Sequence, residues 1–197
     1  MSQNQHLAAV VSHSVSNFDQ WKRVFDSDQA ARKSAGFLGH HINHAAGDPN
    51  RIATYLPLSD RARAQAFMVN PDLKATMSRA GVTGAPEVVW IESQESTYIA
   101  DRPTAAMLIS HEVEDYAAWK KVYDTFASTR TKAGIIGAAV NRSLDNPNVV
   151  LVYHQAETNA HLEAFTALPE LKAAMKQGGV KGAPVINYLQ ALAGATY

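Results

Sequence analysis

The hydrophobic pattern opens with a short apolar run, Leu7–Val15, centred on Val10 and Val11, and its length and β-branched content predict a strand. Ser16-Asn17 interrupts it. Asn17 is a good helix N-cap, with Gln20 three residues on as a capping-box partner. Phe18, Trp21, Val24 and Phe25 then recur at three- and four-residue spacing, the buried face of a helix. Gly36 is expected to end that helix in the left-handed conformation. A second strand, Phe37–Ala45, the turn Gly47-Asp48-Pro49-Asn50 and a third strand, Arg51–Leu58, read as a hairpin. Ser59 or Asp60 starts a helix carrying Ala62, Ala66 and Phe67. Proline is tolerated at the start of a helix but not inside one, so Pro71 predicts a break near Asn70 and a new segment to Ala80, stopped by Gly81. Gly84-Ala85-Pro86 leads into a last strand, Glu87–Glu92.

The whole pattern is then repeated. Residues 8–26, AAVVSHSVSNFDQWKRVFD, return as residues 106–124, AMLISHEVEDYAAWKKVYD. One ungapped shift of 98 (111 − 13) pairs His13 with His111, Trp21 with Trp119, Gly36 with Gly134 and Asn43 with Asn141. It continues through Tyr55 and Tyr153, Phe67 and Phe165, Pro71 and Pro169, and the two Gly-Ala-Pro triplets. About a third of the aligned positions are identical against about one in twenty by chance, which marks a duplication. In the second copy Asp115 is the cap, and Tyr116, Trp119, Val122 and Tyr123 form the buried helix face. The expected organisation is a first module over 1–92, a linker over 93–103 rich in Ser, Gln, Asp and Pro, and a second module over 104–197.

Each copy reads β-α-β-β-α-β, the ferredoxin-like split βαβ pattern of an α+β fold. That pattern gives a four-stranded antiparallel sheet with both helices on one face. The other face is apolar and needs a partner. The second copy supplies one, so the two sheets are expected to close into a barrel with helices outside, an intramolecular version of a dimeric α+β barrel. Further association of such fused barrels is compatible with the sequence.

Composition narrows the function without naming it. Apolar residues make up 46% and charged residues 18% of the chain, enough for a packed core. Eighteen basic residues balance eighteen acidic ones, so the electrostatic footprint of nucleic-acid binding is missing. The absence of cysteine excludes disulfides, thiolate metal sites and cysteine nucleophiles. No apolar run approaches a membrane span, and the N-terminal residues lack the pattern of a signal peptide, so a cytoplasmic protein is expected. Phosphate-binding glycine loops, a G-x-S-x-G elbow and a helical H-E-x-x-H are not present.

The sequence resembles the dimeric α+β barrel superfamily and, within it, proteins similar to antibiotic biosynthesis monooxygenases. DYAAWKKVYD (115–124), AGIIGAAVNRSLDNPN (133–148) and AFTALPELKAAM (164–175) carry the likeness, with their first-copy equivalents. The resemblance implies a small-molecule pocket. It brings in a superfamily that includes cofactor-free oxygenases, cyclases, isomerases and haem-binding enzymes.

Candidate chemistry rests on polar and aromatic residues kept in both copies. His13 and His111, near the end of the first strand, are candidate bases or hydrogen-bond donors. Asn43 and Asn141 occupy strand positions that asparagine disfavours, so each side chain is expected either to stabilise an enolate-like oxyanion or to satisfy a backbone group. Tyr55 and Tyr153 are candidate hydrogen-bond donors into a pocket, while Trp21 and Trp119 read as core residues that also form a pocket wall. His40, His41 and His44 occur only in the first copy, and His154 and His161 only in the second. In a strand His40 and His44 share a face roughly 13 Å apart and His41 points the other way, so the three cannot clasp one metal alone. His41 is retained as a ligand-binding candidate, and no metal site or cofactor is assigned. Three functions follow: a cofactor-independent monooxygenase or cyclase-like enzyme on an aromatic or polyketide-like substrate, a non-catalytic ligand-binding or stress-related barrel, and a haem- or metal-binding protein using its histidines.

Overall fold

The computed structural model describes residues 6–197. The first copy contains β1 (His6–Val15), α1 (Phe18–Ser27), α2 (Gln29–Ser34), β2 (Gly39–Ala45), β3 (Asp48–Leu58), α3 (Arg61–Met68), α4 (Pro71–Arg79) and β4 (Val82–Ser96). The second contains β5 (Thr104–Val113), α5 (Tyr116–Thr125), α6 (Ala127–Lys132), β6 (Ile135–Ser143), β7 (Val149–Ala156), α7 (Asn159–Thr166), α8 (Pro169–Gln177) and β8 (Val180–Ala191), followed by the two-residue β9 (Ala195–Thr196). β4 runs to Ser96, four residues into the segment expected to be a linker.

Within each copy the strands lie antiparallel, in the order β2-β3-β1-β4 and β6-β7-β5-β8. Two seams join the copies. Ile91 to Ser96 on β4 pair with Ser143 to Ala139 on β6, and Asn43 to Ala45 on β2 pair with Ala191 to Leu189 on β8. Every edge of one sheet is therefore hydrogen-bonded to an edge of the other, and eight strands close as a barrel. The alternation of a β-strand assigns side chains to two layers. Ala8, Val10, Ile91 and Leu151 meet inside the barrel, where Ala106, Leu189 and Ala191 form a second cluster. Ala9, Val11, Leu56 and Trp90 face the helices of the first copy; Met107, Ile109 and Val152 face those of the second, where Leu162 and Phe165 of α7 pack against them.

The caps form as the sequence predicts: Asn17 accepts from Gln20 N at 2.8 Å, Asp115 from Ala118 N at 2.7 Å, and Asp60 from Arg63 N at 3.1 Å. The Gln20 side chain does not complete a capping box; it donates to Arg79 O at 2.8 Å and ties α1 to the end of α4. Pro71 opens α4, with Asn70 accepting from Asp72 N, as expected. The first helix is not continuous to Gly36. It breaks at Asp28 into α1 and α2, and α5 and α6 repeat the break. The hairpin also turns earlier than predicted, at Ala46-Gly47, so that Asp48, Pro49 and Asn50 begin β3. The Gly-Ala-Pro triplets lie inside β4 and β8 rather than before them. Gly84 (φ +78°) and Gly182 (φ +67°) make β-bulges there.

One contact anchors the crossing between the copies. Gln155, fully buried on β7, accepts from Ile99 N at 2.6 Å and donates to Ile99 O and Thr104 Oγ1, both at 2.8 Å. Its first-copy equivalent is Pro57. Gln155→Leu leaves the Ile99 amide and carbonyl unpaired and is expected to destabilise the chain by about 2–3 kcal/mol, read from urea unfolding at unchanged denaturant slope.

Candidate functional site

The bulges position the histidines. On β5 the pairing with β8 jumps from Ser110↔Val185 to Glu112↔Lys181, leaving His111 opposite Gly182-Ala183-Pro184. His13 stands in the same way opposite Gly84-Ala85-Pro86. Proline has no N–H to give the ladder, so the sheet is interrupted beside each imidazole. Both rings turn toward the helix layer. His13 lies 5.5 Å from Trp21 and His111 lies 5.6 Å from Trp119, each tilted by 54°. Neither nitrogen of either ring has a hydrogen-bond partner. Burial lowers both pKa values to about 4, so both rings are neutral at pH 7 and each presents one donor and one acceptor.

The space in front of the two rings differs. In the second copy a cavity of about 260 Å³ is lined by His111, Trp119, Tyr123, Arg130, His154 and Lys172, among others. Its first-copy counterpart, lined by His13, Trp21, Phe25, Arg32, Leu56 and Met68, has about 80 Å³. Three replacements make the second wall more polar: Tyr123 for Phe25, His154 for Leu56 and Thr166 for Met68. The Tyr123 hydroxyl lies 3.2 Å from His154 Nε2, with the rings nearly parallel. Phe165 packs edge-on against His154. Burial, reinforced by the positive charge of Arg130, lowers His154 to about 3, and burial pushes Tyr123 up to about 12. The histidines and Tyr123 of the wall are therefore neutral at pH 7, and Arg130 and Lys172 are its two cations.

The other sequence candidates lie across the sheet from this cavity. His41, Asn43, Tyr55, Asn141 and Tyr153 converge inside the barrel with Tyr98, around a space of about 50 Å³, which suits a few waters rather than an organic ligand. Tyr153 donates to Asn43 Oδ1 at 2.7 Å, across the two copies. Asn43 donates to Ala53 O at 3.4 Å and Asn141 to Leu151 O at 3.2 Å, each the residue directly opposite on the neighbouring strand. Both asparagines thus serve a backbone carbonyl in the same way, and neither meets a histidine of the helix side. His40 and His44 face the helices, against Phe25 and Phe18, and His41 faces the barrel. Among the described residues no group of three His, Asp or Glu side chains is placed to hold a metal. Retention in both copies drew attention to His111 and Trp119. Tyr123, Arg130 and Lys172 stand out only where the copies are compared for the space and polarity around them.

Five histidines share this depressed basicity: His13, His40, His41 and His111 at about 4 and His154 at about 3. The unfolded chain binds their protons near the ordinary value of 6.5 and the folded chain does not, so stability is full above that value and falls as pH drops toward 4. His154→Leu installs the first-copy residue and removes one such proton. It is expected to flatten the fall between pH 6 and pH 4 by up to about 1.4 kcal/mol per pH unit, measured by urea unfolding across that range.

The sequence model of the antibiotic biosynthesis monooxygenase family matches residues 105–177, which contain every cavity residue named above from His111 to Lys172. No curated protein matches the chain. Among solved structures, an anthrone oxidase-like protein is 12% identical with a TM-score of 0.71, covering 98% of this chain and 94% of its own. A candidate monooxygenase from Lactobacillus acidophilus NCFM is 13% identical with a TM-score of 0.64, covering 98% and 97%. A heme-degrading enzyme from Listeria monocytogenes is 7% identical with a TM-score of 0.52, covering 92% and 98%. At these identities the likeness is one of fold, and it extends over both copies. No described helix is long and apolar enough to cross a membrane. The chain is a tandem duplicate of a ferredoxin-like module, closed on itself as an α+β barrel, and its second copy matches the model of the antibiotic biosynthesis monooxygenase family.

Proposed function

We propose that the helix-side cavity of the second copy binds a small aromatic molecule and oxidises it with dioxygen, without a bound cofactor. The observation that carries this reading is His111: a neutral imidazole, nine-tenths buried, with both nitrogens unpartnered on the wall of an aromatic cavity. Buried polar atoms without partners are rare in native proteins, and here a ligand supplies them. At about 260 Å³ the cavity lies just below the roughly 300–1,000 Å³ of ordinary ligand sites, which fits a compact ring system.

The chemistry follows from an activated carbon acid, such as a ring CH₂ beside a carbonyl. His111 accepts its proton, and the resulting enolate and imidazolium stabilise one another in a site of low dielectric. Tyr123, held by His154, is a donor for the enolate oxygen. The enolate carbon is the reductant for dioxygen. A C–O bond forms, the peroxide takes up a proton, and loss of water leaves a second carbonyl, so CH₂ plus O₂ becomes C=O plus H₂O. All the electrons come from the substrate. Apolar walls keep water from reprotonating the carbon.

Oxygen uptake with anthrone as the probe tests this. The native chain is expected to consume one O₂ per anthrone. His111→Leu should lower the rate by roughly 10²–10⁴-fold, the range for a lost general base. His13→Leu should leave it within about twofold, because the first cavity has no room. Equal losses from both variants would move the chemistry out of the second copy. Saturable anthrone binding without oxygen uptake would make the chain a binding protein.

A further inference from the structure

The duplication supplies an internal comparison at one cation. In the first copy Arg32, 4% exposed, donates through Nη1 to Phe25 O at 2.6 Å, with its guanidinium 3.6 Å above the Phe25 ring. Its Nε donates to the phenolic oxygen of Tyr197 at 2.6 Å, and His40 Nδ1 lies 3.0 Å from the same oxygen. A phenol is therefore seated on the guanidinium of an arginine that lines the first cavity.

In the second copy Arg130 repeats the first two contacts. Nη1 donates to Tyr123 O at 2.5 Å, and the guanidinium lies 3.7 Å above the Tyr123 ring. The third contact is gone. Ile99 and Ala138 occupy the positions of Tyr197 and His40 in the repeat, and neither side chain can bond an arginine. Among the described residues Arg130 makes no ion pair, and its Nε has no hydrogen-bond partner. Lys172, the other cation on the cavity wall, also makes no ion pair among them. The cavity thus combines an aromatic interior with a guanidinium whose twin already holds a phenol.

We infer that the second cavity selects aromatic molecules carrying an acidic oxygen, a phenolate or a carboxylate, and that Arg130 binds this oxygen through Nε as Arg32 binds Tyr197. The inference rests on the proposed location of the site and adds its substrate class. Charge-assisted bonds of this kind are the stronger class of hydrogen bond, and a partly buried guanidinium favours the ionised form of its ligand. An aromatic phenolate is also the electron-rich species that dioxygen attacks most readily. Arg130 is thereby a specificity determinant, with His111 left to move the proton.

Calorimetric titration of the intact chain with 2-naphthoate, 2-naphthol and the neutral isostere 2-naphthamide tests the inference. Naphthoate or naphthol should bind about tenfold more tightly than the amide, as expected for one charge-assisted contact. Arg130→Met should remove that preference while leaving amide binding within about twofold. Arg130→Lys keeps the charge without Nε and should restore only part of it; this variant carries the test if thermal unfolding shows that Arg130→Met is not folded. A preference for naphthol alone would confine the class to phenols. Equal affinities for all three probes, or a preference that survives both variants, would overturn the substrate class and leave the cavity standing. Failure of every naphthalene to bind would instead remove the site itself, and the inference with it.

Discussion

Each sheet of this protein has two apolar faces and only one set of helices, and the structure follows from how the second face is covered. Leaving the inner face of either copy in water would expose Ala8, Val10 and Ile91 on one side and Ala106, Leu189 and Ala191 on the other. The other copy covers it. Small inner residues let the two sheets approach, and the β4–β6 and β2–β8 seams pair the edge strands that closure brings together. Burial and backbone pairing thus hold the barrel from inside. The helix-side positions contribute to each copy's own core but not to closure, and there the copies have diverged most usefully.

The bulge connects that frame to the candidate site. A positive φ at Gly84 and Gly182 shifts the register of the fourth strand, and the proline two residues later has no amide to repair the ladder. The gap leaves a first-strand histidine facing the helices over a tryptophan. The positive φ calls for glycine and the interrupted ladder tolerates proline, which accounts physically for the retention of both opposite the histidine in the two copies.

Element order, caps, the proline break and barrel closure were legible because each depends on local chemistry or on the repeat. The early hairpin turn and the bulges were not. Asp48, Pro49 and Asn50 carry strong turn signals, yet Asp48 pairs with Ala45 and the three open β3 across a register shift, and Gly-Ala-Pro reads equally as a loop or as a bulge until the opposite strand is known. Of the proposed site, His111 and Trp119 were visible as shared residues. Asn43, Asn141, Tyr55 and Tyr153 were equally visible, but their alternation places them on the barrel side. Strand parity separates the two groups, and it is hard to carry through a bulge. Arg130 left no local signal, since Arg32 is identical to it; only the loss of Tyr197 and His40 from its surroundings distinguishes it.

Retention alone therefore does not locate function in this chain. His13 and His111 stack on their tryptophans at nearly the same distance and the same tilt, and both have unpartnered nitrogens. Packing over the bulge is sufficient reason to keep either. What separates them is the volume before each ring and the polarity of what faces it: about 80 Å³ walled by Phe25, Leu56 and Met68, against about 260 Å³ walled by Tyr123, His154 and Thr166. Filling a cavity with apolar side chains stabilises a core, whereas a buried tyrosine–histidine pair beside an open space costs stability. In a duplicated barrel the two tendencies need not compromise. One copy supplies the better-filled core, and the other keeps the larger and more polar cavity.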